Sequence, residues 1–248
     1  MIVSKYNASG NDFVVFHTFL TKDRSELAKK ICDRQNGVGA DGLIVLKPGS
    51  DKDHIEWEFY NSDGSVANMC GNGSRAAARY AFDNGLAYRS FFIKTGSGDV
   101  GANVSFDVEV ELTSPKILSD DVIDEFGFKW YFYDTGVPHL VCYVDDLDKF
   151  DIEICKKLRH KYNANVNYAK FFNDELFVRT YERGVEGETL ACGTGMAACF
   201  YGGILNFNLS KKINVYPKSG EKLGLELKNN KIFFKGFVKH CFDVNFNI

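Results

Sequence analysis

The chain is 248 residues long, with 45% hydrophobic and 25% charged residues, the balance of a globular protein with a sizeable core. Its 30 basic and 33 acidic residues give a formal charge of −3, which argues against nucleic-acid binding because phosphate recognition normally shows a basic excess. No uninterrupted apolar run reaches the roughly 18 residues of a membrane span; Asn7, Asn11 and Asp12 stand where a signal peptide needs an apolar stretch, so a cytoplasmic location is expected.

In chain order, the pattern predicts a strand over 12–19, a helix over 25–34 and strands over 43–46 and 55–60. A helix over 73–82 follows, then strands over 90–94 and 103–112. Beyond Ser114-Pro115 come strands over 130–133 and 140–144, a helix over 152–162 and a strand over 176–180. A helix over 195–205 then leads to strands over 212–215, 223–228 and 231–235. The strands are short, rich in Val, Ile, Phe and Tyr, and bounded by Gly, Asn and Asp. Lys228-Asn229-Asn230-Lys231 reads as a tight hairpin turn between the last two. Runs of strands broken by isolated helices point to an α+β fold.

One repetition organises the chain. Met69-Cys70-Gly71-Asn72-Gly73 leads into one Ala-rich helix and Ala191-Cys192-Gly193-Thr194-Gly195 into another, about half the chain apart. This implies two pseudo-symmetric halves, each a curved, mostly antiparallel sheet around a central helix, with the active site in the cleft between them. The boundary is expected near Ser114-Pro115, where a proline interrupts pairing. Residues 1–114 then carry Cys70 and residues 115–248 carry Cys192, and the last strand is free to cross back to the first half.

The seven cysteines are odd in number and include no C-x-x-C pair, and the five histidines form no H-x-x-x-H pair, so spacing suggests neither a disulfide framework nor a metal site. Cys32, Cys142, Cys155, Cys199 and Cys241 read as structural. Cys70 and Cys192 differ because each precedes a helix, where unpaired backbone N–H groups and the helix dipole favour a thiolate. The same N–H groups can hold a carboxylate. An amino-acid racemase without a cofactor needs two proton carriers facing one carbon, and fixed donors on the carboxylate where charge builds. Paired Cys-Gly-x-Gly turns supply both.

With these motifs in view, the sequence resembles the diaminopimelate epimerase family. The likeness rests on 5–14 (Lys-Tyr-Asn-Ala-Ser-Gly-Asn-Asp-Phe-Val), Gly37-Val38-Gly39-Ala40-Asp41-Gly42, Asn61-Ser62-Asp63-Gly64-Ser65 and the first Cys-Gly-x-Gly turn. Thr135-Gly136-Val137-Pro138-His139, Asn165-Val166-Asn167 and Tyr181-Glu182-Arg183-Gly184 follow, in order, before the second turn. The resemblance implies interconversion of LL- and meso-diaminopimelate without pyridoxal phosphate or any other cofactor, with Cys70 and Cys192 as base and acid. It implies that the backbone at Gly71, Asn72, Gly193 and Thr194 cradles the reacting carboxylate. Asn11, Asn61, Asn167 and Arg183 would hold the substrate, chiefly at its distal end, and Glu182 and His139 would tune charge near the reacting centre. The implied partner is a small amino acid rather than nucleic acid or membrane, and a homodimer is left open. Two positions depart from the common family pattern: Gly42 where Gln is common, and Val137 where Asn is common.

Each residue also has a plainer reading. Arg183 could pair with Glu182 or Glu186, the asparagines could be turn residues, His139 a buried, satisfied histidine, and Glu182 a surface partner of Arg179 or Arg183. Gly37–Gly42 matches a dinucleotide fingerprint literally, but a helix precedes it and a strand follows, the reverse of what that motif needs. A racemase for another amino acid, or a protein that uses the two thiols as a reversible disulfide, are the competing functions.

Overall fold

The computed structural model describes residues 1–49 and 51–247. The chain divides into two compact units, Met1–Val110 with Gly236–Ile248, and Glu111–Lys235.

The first unit contains β1 (Ile2–Ala8), β2 (Asn11–His17), α1 (Ser25–Cys32), β3 (Gly42–Pro48), β4 (His54–Asn61), α2 (Gly71–Asp83), β5 (Ser90–Thr95), β6 (Gly98–Val104) and β7 (Val108–Glu111). The second contains β8 (Lys116–Glu125), β9 (Phe128–Asp134), β10 (Pro138–Tyr143), α3 (Ile152–Tyr162), β11 (Asn165–Phe172), β12 (Glu175–Glu182), β13 (Gly187–Thr189), α4 (Gly193–Phe207), β14 (Lys212–Tyr216), β15 (Leu223–Lys228) and β16 (Lys231–Gly236). The chain then returns to the first unit, where β17 (Lys239–Asn245) pairs antiparallel with β1.

Strand pairing repeats between the units. In the first, β1–β2 is antiparallel, β2–β3 parallel, β3–β4 antiparallel, β4–β5 parallel, and β5–β6 and β6–β7 antiparallel. The second follows the same order through β9–β10, β10–β11, β11–β12, β12–β14, β14–β15 and β15–β16. The helices obey it too. A parallel pair needs a crossover connection, and α1 and α3 bridge the first such pair in each unit, α2 and α4 the second. The fold is therefore α+β with a duplicated mixed sheet, antiparallel in most pairs.

In each unit one helix is enclosed. α2 rests on β1, β2, β3 and β6, and α4 on β9, β10, β11, β12 and β15. Their sequences suit close packing: Ala76, Ala77, Ala78 and Ala81 are fully buried along α2, and Met196, Ala197, Ala198, Cys199 and Phe200 along α4. The outer helices are amphipathic instead. Ala28 and Ile31 of α1 pack with Val14, Leu43 and Val45, and Cys155 and Leu158 of α3 with Trp130, Leu140 and Tyr168.

Several local readings hold. Lys228 pairs with Lys231, and Asn229 and Asn230 take φ of 50° and 59°, the left-handed pair of a two-residue hairpin turn. The segment Gly37–Gly42 runs from a helix into a strand, so it has no dinucleotide-binding context. The expected strand over 103–112 is instead the hairpin β6–β7, because Val104 pairs with Val108 across a turn.

Candidate active site

Cys70 is the N-cap of α2, extended at φ −151° and ψ 119°, and its Sγ accepts the Gly73 N–H at 3.3 Å. Cys192 caps α4 in the same extended conformation, at φ −122° and ψ 107°. The helices therefore begin at Gly71 and Gly193, and the thiols stand at the positive end of each dipole. Cys70 is half-buried and Cys192 buried.

Around the first thiol the structure gathers Asn11, Gly71 and Asn72. The Cys70 thiol points at Asn11 Oδ1 at 3.9 Å. Asn11 Nδ2 donates to Asp41 at 2.7 Å. Gly71 and Asn72 are buried in the first turn of α2, and Asn72 Oδ1 accepts from the buried guanidinium of Arg75 at 2.8 Å. That guanidinium also donates to Ser9 Oγ at 2.7 Å, so a cation is fixed beneath the helix mouth. Asn61 ends β4, exposed, with its Nδ2 donating to Ser65 Oγ at 2.9 Å in the turn that follows. Gly42 faces it across the β3–β4 pair. A Cβ at Gly42 would lie 2.6 Å from the Phe59 ring and 2.9 Å from the Tyr60 carbonyl oxygen, so packing in this chain demands glycine there.

Around the second thiol, Thr194 Oγ1 lies 3.5 Å from Cys192 Sγ, and the buried Thr135 donates to the Thr194 carbonyl at 2.8 Å. Behind α4 runs a closed polar chain. Asn167 is fully buried; its Oδ1 accepts from Thr180 at 2.9 Å, and its Nδ2 donates to the Leu140 carbonyl at 2.9 Å and meets His139 Nδ1 at 3.1 Å. These bonds engage both ends of the amide, so Asn167 braces the mouth of α4. Its contact with α4 is close: a Cβ on Gly195 would sit 2.4 Å from Asn167 Oδ1.

His139 is fully buried, and burial together with the nearby Arg183 guanidinium pushes its pKa down to about 3, so the ring is neutral. Both ring nitrogens face amide nitrogens, Asn167 Nδ2 at 3.1 Å from Nδ1 and Asn165 Nδ2 at 3.5 Å from Nε2, and the neutral ring accepts from one of them. Asn165 is the residue that sequence reasoning passed over. Its Oδ1 accepts the Arg183 backbone N–H at 2.7 Å and fixes the turn that carries the cation. The signal was available, since residues 165 and 167 share one face of a strand.

Arg183 is half-buried, and its guanidinium donates to the Asn163 carbonyl at 2.9 Å. Among the described residues it makes no ion pair; Glu186 pairs with Arg159, and Arg179 with Glu188. Glu182 is the last residue of β12, half-buried and next to Arg183 in the chain. Val137 is half-buried in the turn ahead of β10, where its carbonyl accepts from Thr135.

The other cysteines separate cleanly. Burial pushes the Cys32 thiol up to about 12, and drives Cys142, Cys155 and Cys199 far above the ordinary thiol range. Cys241 departs from the expected structural role: it is exposed on β17. No group of three or more His, Cys, Asp or Glu side chains suited to a metal ion occurs among the described residues.

With two thiols at two helix mouths in hand, the comparisons decide the family. The family model described as diaminopimelate epimerase matches residues 3–118 and 131–240. The chain belongs to the diaminopimelate epimerase family. A diaminopimelate epimerase of a Nitratiruptor species is 57% identical over 98% of this chain and 97% of its own length. One from Campylobacter jejuni subsp. doylei is 52% identical over 98% of each. Among solved structures, a probable proline racemase from Agrobacterium radiobacter covers 100% of this chain and 93% of its own, with a TM-score of 0.78 at 11% identity. At that identity the likeness speaks for the fold alone. Among the described residues, no helix is long and apolar enough to cross a membrane.

Proposed function

We propose that this protein epimerises 2,6-diaminopimelate, interconverting the LL and meso isomers, with Cys70 and Cys192 as the two proton carriers for one α carbon. The observation that carries the reading is the repeated placement. Two units of the same strand order each set one cysteine as the N-cap of an enclosed helix. Membership of the family whose relatives bear this name supplies the substrate.

The chemistry follows from the groups at each mouth. A thiolate takes the α-proton, forming one S–H bond as the C–H bond breaks, and the electron pair spreads onto the carboxylate. N–H groups at Gly71, Asn72, Gly193 and Thr194 are the donors assigned to that charge, each worth about 2.7–4 kcal/mol in comparable sites. The opposite thiol delivers its proton to the other face, which leaves the two sulfurs with exchanged protonation states. Arg183 is assigned to the distal carboxylate, with Asn61 and Asn11 as polar contacts and Glu182 adjusting charge. Side chains supply both proton carriers, so the reading requires no pyridoxal phosphate. It places the enzyme in the cytoplasm, feeding lysine and peptidoglycan-precursor synthesis.

The test is epimerisation of LL-diaminopimelate in D2O without added cofactor, beside a panel of other amino acids. A thiol is monoprotic and cannot return a solvent-derived hydrogen to the face it has just deprotonated. Early meso product should carry deuterium at the inverted carbon while the remaining LL pool stays nearly unlabelled. Deuterium entering recovered LL substrate as fast as product forms would mean one base serves both faces. No turnover of diaminopimelate alongside turnover of another amino acid would move the substrate assignment.

A further inference from the structure

Beside the first thiol lies a charged cluster that the reaction above does not use. Asp41, on the loop from α1 to β3, accepts through Oδ2 from Asn11 Nδ2 at 2.7 Å and from the Asp12 backbone N–H at 3.1 Å. Its Oδ1 takes the Arg34 guanidinium at 2.8 Å. Arg34 also reaches Asp12, and Lys5 of β1 pairs with Asp12 at 2.7 Å. Arginine and lysine hold Asp12 down to about 2 against its partial burial.

An ionised carboxylate can only accept hydrogen bonds. The Asn11 atom that faces Asp41 must therefore be the amide nitrogen, and the amide's carbonyl oxygen is turned the other way. It is turned onto Cys70 Sγ, at 3.9 Å. A carbonyl oxygen attracts an S–H and repels a thiolate, whereas the Gly73 N–H on the same sulfur does the opposite. At Cys192 the neighbouring side chain is a hydroxyl, which can donate to a thiolate as readily as it accepts from a thiol.

We propose that Asp41 is a positioning residue: by anchoring the Asn11 amide it aims a carbonyl oxygen at Cys70 and biases that thiol towards its protonated form, so that Cys70 rests as the acid. The proposal rests on the reading above only in taking Cys70 as a reacting group. Among the described residues, the charged groups of this network are Asp12 and Lys5 on the paired β2 and β1 and Arg34 and Asp41 beyond α1, and α2 itself carries Arg75.

The test reads Cys70 directly. The rate of Cys70 alkylation by iodoacetamide, followed by peptide mapping across pH, gives the midpoint of its ionisation without any substrate. Asp41→Asn and Asp41→Ala free the Asn11 amide to turn its NH2 towards sulfur, and the midpoint should fall by about half to one pH unit, the weight of one hydrogen bond. The Asp41 side chain is 42% exposed, so both variants should fold, which thermal unfolding checks. An unchanged or raised midpoint overturns the proposal, as does faster alkylation at every pH with the midpoint fixed, which marks loosened packing. A final arm separates orientation from simple loss of charge. In an Asn11→Ala background, Asp41→Asn should leave the midpoint where it is; a persisting fall means that Asp41 acts by its charge, and the route through Asn11 is wrong. An alkylation shift in a protein that turns over no diaminopimelate would sink the proposed substrate and leave this inference standing.

Discussion

A histidine next to a cation and inside the core changes how this protein responds to acid. His139 is neutral because ionising it would place a charge with no water around it, close to Arg183. Its pKa falls to about 3 in the fold, whereas an unfolded histidine protonates near 6.5. Between those values the unfolded chain binds a proton that the native chain refuses, so stability falls as pH drops through that window. His139→Gln, which stays neutral throughout, should lose less stability between pH 7 and pH 4 than the parent, measured by urea denaturation at several pH values. In the parent, the His139 ring signals should not titrate between pH 5 and 8; a midpoint near 6.5 would show that the ring is not sealed in. At this scale the two helix-capping cysteines were legible because a Cys-Gly-x-Gly turn before a helix has a specific electrostatic meaning. The asparagines were legible only as a group. Residue type and spacing cannot tell Asn167, spent on Thr180, Leu140 and His139, from Asn165, which holds the Arg183 turn.

Most elements with a buried face were readable, the missed β1 excepted, and those without were not. The strand β3 is buried along most of its length and announces itself by LIVL, whereas β8 and β17 have no buried position and carry no alternation. β11 was hidden for another reason: its buried face near the site carries Asn165 and Asn167, polar residues that the inner network satisfies. The two enclosed helices begin two residues earlier than expected, at the first glycine of each Cys-Gly-x-Gly turn rather than the second, because the cysteine itself is the cap. That detail matters to the mouth of α4, where the first turn lies directly on the amide of Asn167. Gly195→Ala would force a methyl to within 2.4 Å of Asn167 Oδ1 and 3.1 Å of Thr180 Oγ1. Either the helix start or the Asn167–Thr180 bond must give, at a cost of about 1–3 kcal/mol, the range for overpacking a close-packed site. Denaturant unfolding should register that loss, and alkylation of Cys192 should change along with it. An alanine accepted with full stability would mean that the polar chain behind α4 is looser than its geometry implies.

At the scale of the molecule, duplication is what the sequence disclosed best, because two short motifs half a chain apart report two copies of a larger plan. The order of parallel and antiparallel pairings repeats strand for strand, with one crossover helix amphipathic and the other enclosed in each unit. What the motifs could not disclose is where the chain re-enters its first unit, since β17 is held by backbone pairing to β1 and has little buried side-chain surface. A duplicated plan with one thiol per copy makes a specific demand on kinetics. If both thiols serve one carbon, each is useless without the other: a base that has taken the proton has nothing to finish the reaction when the acid is missing. Cys70→Ser and Cys192→Ser should each lower kcat/KM by about 10²–10⁴, the loss expected for one general acid or base. The double variant should then be about as slow as the worse single one, because groups that act as a unit are grossly non-additive. Losses that instead multiply, measured with enough enzyme to keep the double variant above background, would mean that the two thiols contribute independently, and a reaction carried jointly by both cysteines would have to be abandoned.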